Sequence, residues 1–96
     1  MTMWDVIREK RFKRMQMALE VLRDGKILIL RHREFNDREA VARRRLRDGK
    51  IRYRLFYVTP IRMLAHEAVV DEAEVAEMIM EYGWEPSVGR MSDYRK

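Results

Sequence analysis

The stretch Leu22-Arg23-Asp24-Gly25-Lys26-Ile27-Leu28-Ile29-Leu30 contains the transition that decides the fold class. Up to Arg23 the apolar residues recur at helical spacing, and Gly25 can take the left-handed conformation that closes a helix. Residues 27 to 30 are all apolar, which is typical of a strand buried on both faces. A helix followed directly by a buried strand predicts a domain of mixed α and β structure.

The chain before this stretch predicts one long helix. Thr2 and Asp5 form a capping box, so the helix should begin at about Met3 and run to Arg23. Its apolar positions fall at helical spacing and predict one buried face: Trp4, Ile7, Phe12, Met15, Leu19 and Leu22.

The chain after this stretch predicts a second helix. Asn36 as the cap and Glu39 three positions later favour a helix from about residue 36 to Arg47. At its end, Leu46–Ile51 repeats Leu22–Ile27 residue for residue. Two readings stay open: a duplicated helix-strand unit, or convergence on a common Asp-Gly turn. Either way, the two junctions are expected to share their geometry.

Residues 51 to 58 alternate between two faces and predict a second strand. Residues 60 to 70 fit either a helix opened by Thr59-Pro60 or the return strand of a hairpin, with the strand favoured. Asp71 with Glu74 predicts the cap of a third helix that ends at Gly83. From residue 85 onward no periodicity is present, so a flexible tail is expected.

The fold prediction is therefore a small two-layer α+β domain over residues 1–84, with a tail over 85–96. The order is helix, strand, helix, strand, probable strand, helix, with helices covering a short sheet. A chain of 96 residues has room for one core. It lacks a secretory signal pattern and a membrane-spanning apolar run, so a cytoplasmic protein without membrane partners is expected.

Charge is distributed unevenly along the chain. Residues 1 to 62 carry a formal charge of +10 and residues 63 to 96 carry −5, which gives the net +5. Such a split fits a basic surface for nucleic acid or for an acidic partner, or two halves that attract each other in the fold.

The sequence offers little support for catalysis. There is no cysteine, and His32 and His66 lack partners at metal-ligand spacing. The carboxylates of residues 71 to 77 are explained by helix capping and a solvated face. We therefore expect no enzyme activity, no metal, no cofactor and no small-molecule substrate.

One cluster of cations stands above this background. Seven cations occur between residues 43 and 54, interleaved with Tyr53, Phe56 and Tyr57. They could bind phosphates while tyrosines stack on bases. Alternatively, the aromatic residues on the Ile51 face belong to the core, and Arg52 and Arg54 pair with the acidic C-terminal helix. The predicted nucleic-acid-binding residues are Arg38, Arg43, Arg44, Arg45, Arg47, Lys50, Arg52 and Arg54.

A basic helix, an Asp-Gly turn and a basic strand resemble the recognition helix and wing of winged-helix DNA-binding domains. The resemblance covers about residues 36 to 70 and has one helix where that family has two. It implies a nucleic-acid-binding protein, which is the leading function. The alternative is a protein-binding inhibitor or adaptor of the kind that phages and mobile elements encode, engaging an acidic or nucleic-acid-like groove. The sequence leaves the oligomeric state undetermined.

Overall fold

A computed structural model describes residues 2–35, 37–47 and 50–90 of the chain. These residues form an α+β domain, as the sequence predicts. The elements in chain order are α1 (Met3–Arg23), β1 (Ile27–His32), β2 (Glu39–Arg47), β3 (Lys50–Val58), β4 (Leu64–Val70), α2 (Glu72–Glu81) and β5 (Trp84–Gly89).

The first helix has the predicted bounds. The Thr2 side chain accepts from the Asp5 backbone N–H, and the Asp5 carboxylate accepts from the Thr2 backbone N–H in return, which completes the capping box. At the other end, Gly25 has a φ of 79°, the left-handed conformation that only glycine adopts without strain. The turn at Gly25 leads straight into β1, as predicted.

The sheet has five antiparallel strands in the order β4-β3-β2-β1-β5 across the described residues. The predicted second helix over residues 36 to 47 is wrong, because residues 39–47 form β2. The register of β2 on β3 and β1 satisfies its backbone groups across two ladders. Val41 and the small Ala40 and Ala42 are fully buried in the sheet, and that burial outweighs the helix propensity of the arginines.

This correction also removes the basis of the winged-helix resemblance, since the basic segment before the turn is a strand. The two repeated Asp-Gly segments differ too. One joins a helix to a strand, whereas the other falls between two paired strands, with residues 48 and 49 outside the described part. Identical hexapeptides therefore lie in different settings.

Residues 64–70 form a strand, which resolves the ambiguity left by the sequence. A register shift interrupts its pairing with β3 between Leu55 and Tyr57, and His66 has a φ of 55° at this irregularity. After β4, the Asp71 carboxylate accepts from the Glu74 backbone N–H and caps α2 as predicted.

The chain after α2 differs from the prediction. Gly83 ends the helical region with a φ of 79°, but residues 84–89 then form β5 instead of the expected loose tail. Pro86 lies in this strand, which is compatible with its place at the edge of the sheet. Residues 91–96 lie outside the described part.

The two helices cover one face of the sheet. Apolar residues of both helices pack against alternate residues of β1 and β3 and form the main core. Its members on the helices are Ala18, Leu22, Val75 and Ile79, and those on the strands are Leu28, Leu30, Tyr53 and Leu55. On the opposite face, which we call the open face, Ile29 and Val41 form a smaller cluster with Ile27, Val58 and Leu64. In the described chain no helix or strand is stacked on the open face, and neither helix is long and apolar enough to cross a membrane.

Candidate nucleic-acid interface

The cations singled out from the sequence lie mainly on the hairpin formed by β2 and β3. In the described chain, β1 pairs with β2 up to Ala42, and β4 pairs with β3 from Tyr53 onward. Residues 45–47 and 50–52 therefore pair only with each other. They extend the hairpin beyond the sheet as a two-stranded ribbon, and we call residues 43–47 and 50–54 the basic hairpin.

The register of the basic hairpin places cation opposite cation. Arg43 lies opposite Arg54, Arg45 opposite Arg52, and Arg47 opposite Lys50. Because strand positions alternate between faces, Arg43, Arg52 and Arg54 share the open face with Val41. Like charges directly opposite one another destabilise a hairpin. The protein therefore maintains a row of positive positions at a cost to its own stability.

Two of these cations have carboxylate neighbours. The Arg54 Nε lies 2.5 Å from the Glu67 Oε1 on β4, and this hydrogen bond raises the pKa of Arg54. The Arg52 Nη1 lies 4.0 Å from the Asp71 carboxylate. Arg43 makes no ion pair with any described residue. The acidic groups beside the row thus come from β4 and from the cap of α2. The sequence had instead suggested the body of the acidic helix.

Arg44 differs from its neighbours because it lies on the helix-covered face. Its Nη1 donates to the main-chain oxygen of Arg23 at 2.6 Å and so satisfies a carbonyl at the end of α1. The sequence grouped Arg44 with the binding residues, but its position makes it a structural cap. Side chains alternate between the two faces of a strand, so Arg44 lies on the opposite face from Arg43. A run of three arginines in the sequence does not reveal this difference.

Beside Arg44, a partly exposed network joins both helices to the sheet. The Tyr53 hydroxyl donates to the Glu72 carboxylate at 2.8 Å, and Arg23 donates to both oxygens of the same carboxylate at 2.7 and 2.8 Å. These hydrogen bonds, chiefly that from Arg23, lower the pKa of Glu72 to about 2. Burial, together with the Glu72 carboxylate, raises the pKa of Tyr53 to about 12.

The aromatic residues of β3 divide between the two faces. Tyr53 is fully buried, so of the two readings open from the sequence it fits the core and not base stacking. Phe56 lies on the open face, with the Arg54 guanidinium 5.2 Å from its ring centroid. Arg38, the first of the predicted binding residues, lies before β2, and its guanidinium stacks over Phe35 at 4.3 Å. Arg38 is therefore at the opposite end of β2 from the ribbon.

The aromatic residues near Arg38 were not grouped together from the sequence. They come from three parts of the chain, which the sheet order brings to one end: His32 and Phe35 at the end of β1, Tyr57 on β3 and Trp84 on β5. Only the strand register reveals this neighbourhood, because Trp84 is 52 positions from His32 and joins it through β1–β5 pairing.

No protein-family model, curated protein or solved structure matches this chain.

Proposed function

We propose that the chain is a non-catalytic nucleic-acid-binding protein that contacts phosphates with the open face of the basic hairpin. The observation that carries the proposal is the row of three consecutive cross-strand cation pairs. Such a row is costly in the free protein, and a polyanion along it would convert mutual repulsion into attraction. Phosphates are suitable ligands because the arginine fork donates two hydrogen bonds to one phosphate.

The shape of the hairpin supports the same proposal. Successive pairs in the row are about 7 Å apart, since each spans two residues of an extended strand. This spacing is comparable to that between neighbouring phosphates of an extended nucleic-acid strand. A free two-stranded ribbon also fits the major groove of a DNA duplex. Contacts to phosphates do not read base identity, so the hairpin should bind with little sequence preference.

Charge-matched variants test the proposal. Arg43→Ala with Arg52→Ala removes two cations of the row, while Arg8→Ala with Lys10→Ala removes two exposed cations from α1. Affinity for labelled single-stranded DNA, RNA and duplex DNA is measured by fluorescence anisotropy. The hairpin variant should lose roughly tenfold or more in affinity, because charge-assisted hydrogen bonds are lost.

The control variant should stay close to the wild type. Equal losses in both variants would show that net charge alone governs binding and would contradict a hairpin interface. If the wild type fails to bind any nucleic acid at low salt, the proposal is wrong. An acidic protein partner retained after nuclease treatment would then support the adaptor alternative, because carboxylates suit the same arginines.

A further inference from the structure

Four aromatic rings meet at the end of the sheet away from the ribbon. The His32 ring lies 5.0 Å from Phe35 and 5.3 Å from Trp84, the latter edge to face. The Tyr57 ring lies 6.3 Å from Trp84. Phe35 and Tyr57 each leave more than two fifths of their surface exposed. This aromatic cluster is therefore partly open to solvent.

The backbone around Gly83 fixes the position of Trp84. Gly83 has a positive φ, and a Cβ at this position would lie 3.1 Å from the His32 ring. The Arg33 backbone N–H donates to the Gly83 carbonyl at 3.0 Å. The close approach and the hydrogen bond hold the start of β5 against the end of β1, so the Trp84 ring is positioned before any ligand arrives.

A pocket of about 360 Å³ opens beside Trp84, lined by Asp37, Arg38, Glu39, Tyr57, Val58 and Trp84. Its walls combine two aromatic rings with polar groups at the rim. Glu39 is occupied, since its two carboxylate oxygens accept from Arg31 and Arg62, both at 2.7 Å. Asp37 and Arg38 are exposed and can offer an acceptor and donors to the edge of a flat ligand.

We propose that this pocket binds one unpaired nucleobase of the strand held by the basic hairpin, an inference that rests on the proposed function. A nucleobase has a flat face for the rings of Tyr57 and Trp84 and a polar edge for the groups at the rim. The pocket spans the end of the sheet away from the ribbon. Glu39 and Val58 lie on the open face with the row, whereas Tyr57 and Trp84 lie on the helix-covered face. A single strand that leaves the row along β2 can place a base between the rings by passing over this end, whereas the paired bases of a duplex cannot enter.

The test uses the full chain carrying Trp4→Phe, in which Trp84 is the remaining tryptophan. Trp4 lies on the first turn of α1 and is mostly exposed, so the replacement removes background fluorescence. Three probes are titrated: a single-stranded oligonucleotide, an abasic oligonucleotide of equal length, and nucleoside monophosphates. The abasic probe keeps every phosphate and lacks the bases, so it separates the pocket from the hairpin.

The expected result is saturable quenching of Trp84 by the oligonucleotide, with an affinity roughly tenfold above that of the abasic probe, as the loss of one base stack implies. Tyr57→Leu should make the affinities of the two probes equal. Phe12→Leu, which removes an exposed aromatic ring from α1, should leave the difference intact. If Tyr57→Leu fails to fold, the comparison of the two probes on the protein with Tyr57 intact still tests the proposal.

Other outcomes separate this inference from the proposed function. Equal affinities for both probes, with steep salt dependence and no Trp84 response, would overturn the pocket and retain the hairpin. Binding of neither probe would overturn both. Quenching by monophosphates at the same concentrations as by the oligonucleotide would assign the pocket to free nucleotides and contradict its role in strand binding.

Discussion

Arg43 of β2 lies directly opposite Arg54 of β3 on the open face of the sheet. Arg54 is paired with Glu67, but Arg43 makes no ion pair with a described residue. The residue opposite an arginine on a paired strand would stabilise the hairpin better as a threonine or an acid. This pair of opposed arginines is one of the observations on which the proposed phosphate contacts rest.

The first prediction concerns the stability of the free protein. Arg43→Thr should raise the free energy of unfolding by about 0.2–1 kcal/mol at low salt, since it removes repulsion from Arg54 and adds a β-branched residue. The gain from charge should shrink at high salt, where repulsion is screened. Urea unfolding at two salt concentrations measures both effects. A loss of stability at low salt would show that Arg43 stabilises the fold.

The second prediction concerns the acid beside the row. Glu67→Gln removes the charge that neutralises Arg54, so affinity for polyanions should rise at low salt while stability falls by no more than about 1 kcal/mol. Glu81→Gln removes the same charge from the exposed end of α2 and serves as the control. Anisotropy with a single-stranded oligonucleotide measures the change. Equal effects of both variants would exclude a local role for Glu67.

Sequence reasoning placed the helix ends well because their signals are local. The box of Thr2 and Asp5, the glycines at 25 and 83, and the cap at Asp71 each act within a few residues. A side chain that satisfies a backbone group three positions away needs no knowledge of the rest of the fold. These ends, and the α+β class that follows from them, were therefore predictable.

The strands β2 and β5 were missed because distant residues decide them. The run Arg43-Arg44-Arg45 has ordinary helix propensity, and it is overridden by pairing with β3 and by the burial of residues 40–42 between β1 and β3. Pro86 and Gly89 argue against a strand locally, yet an edge position tolerates proline. Glycine at 89 is required because a Cβ there would collide with Ile29.

The candidate site was predictable in composition but not in arrangement. The sequence identified a dense group of cations, and only the register showed which of them share a face. The same register removed Arg44 from the group and placed Tyr53 in the core. The aromatic cluster around Trp84 depends on contacts between distant segments, so no local pattern could indicate it.

The third prediction concerns the pH dependence of stability. The pKa of Glu72 is depressed to about 2 in the folded protein, so its contribution is present above its unfolded pKa near 4.5 and is lost as the pH falls toward 2. The pKa of Tyr53 is raised to about 12, so its contribution is present below pH 10 and is lost as the pH rises toward 12. Stability should decline in both windows.

Tyr53→Phe isolates the alkaline window. It removes the ionisable hydroxyl and its hydrogen bond to Glu72, so stability at neutral pH should fall by about 1–2 kcal/mol and the decline from pH 10 to 12 should become shallower. Thermal unfolding followed by circular dichroism at each pH measures the change. An unaltered alkaline decline in the variant would mean that another group causes it.

The salt dependence of binding is the sharpest test of phosphate binding by the basic hairpin. The slope of log K against log salt for a single-stranded oligonucleotide is compared between the wild type and the variant with Arg43, Arg45 and Arg52 all changed to Ala. If each arginine contacts one phosphate, the wild type should show a steep negative slope that becomes shallower by roughly two to three units in the variant. A wild-type slope near zero, or a slope that the three substitutions leave unchanged, would contradict phosphate binding by the basic hairpin.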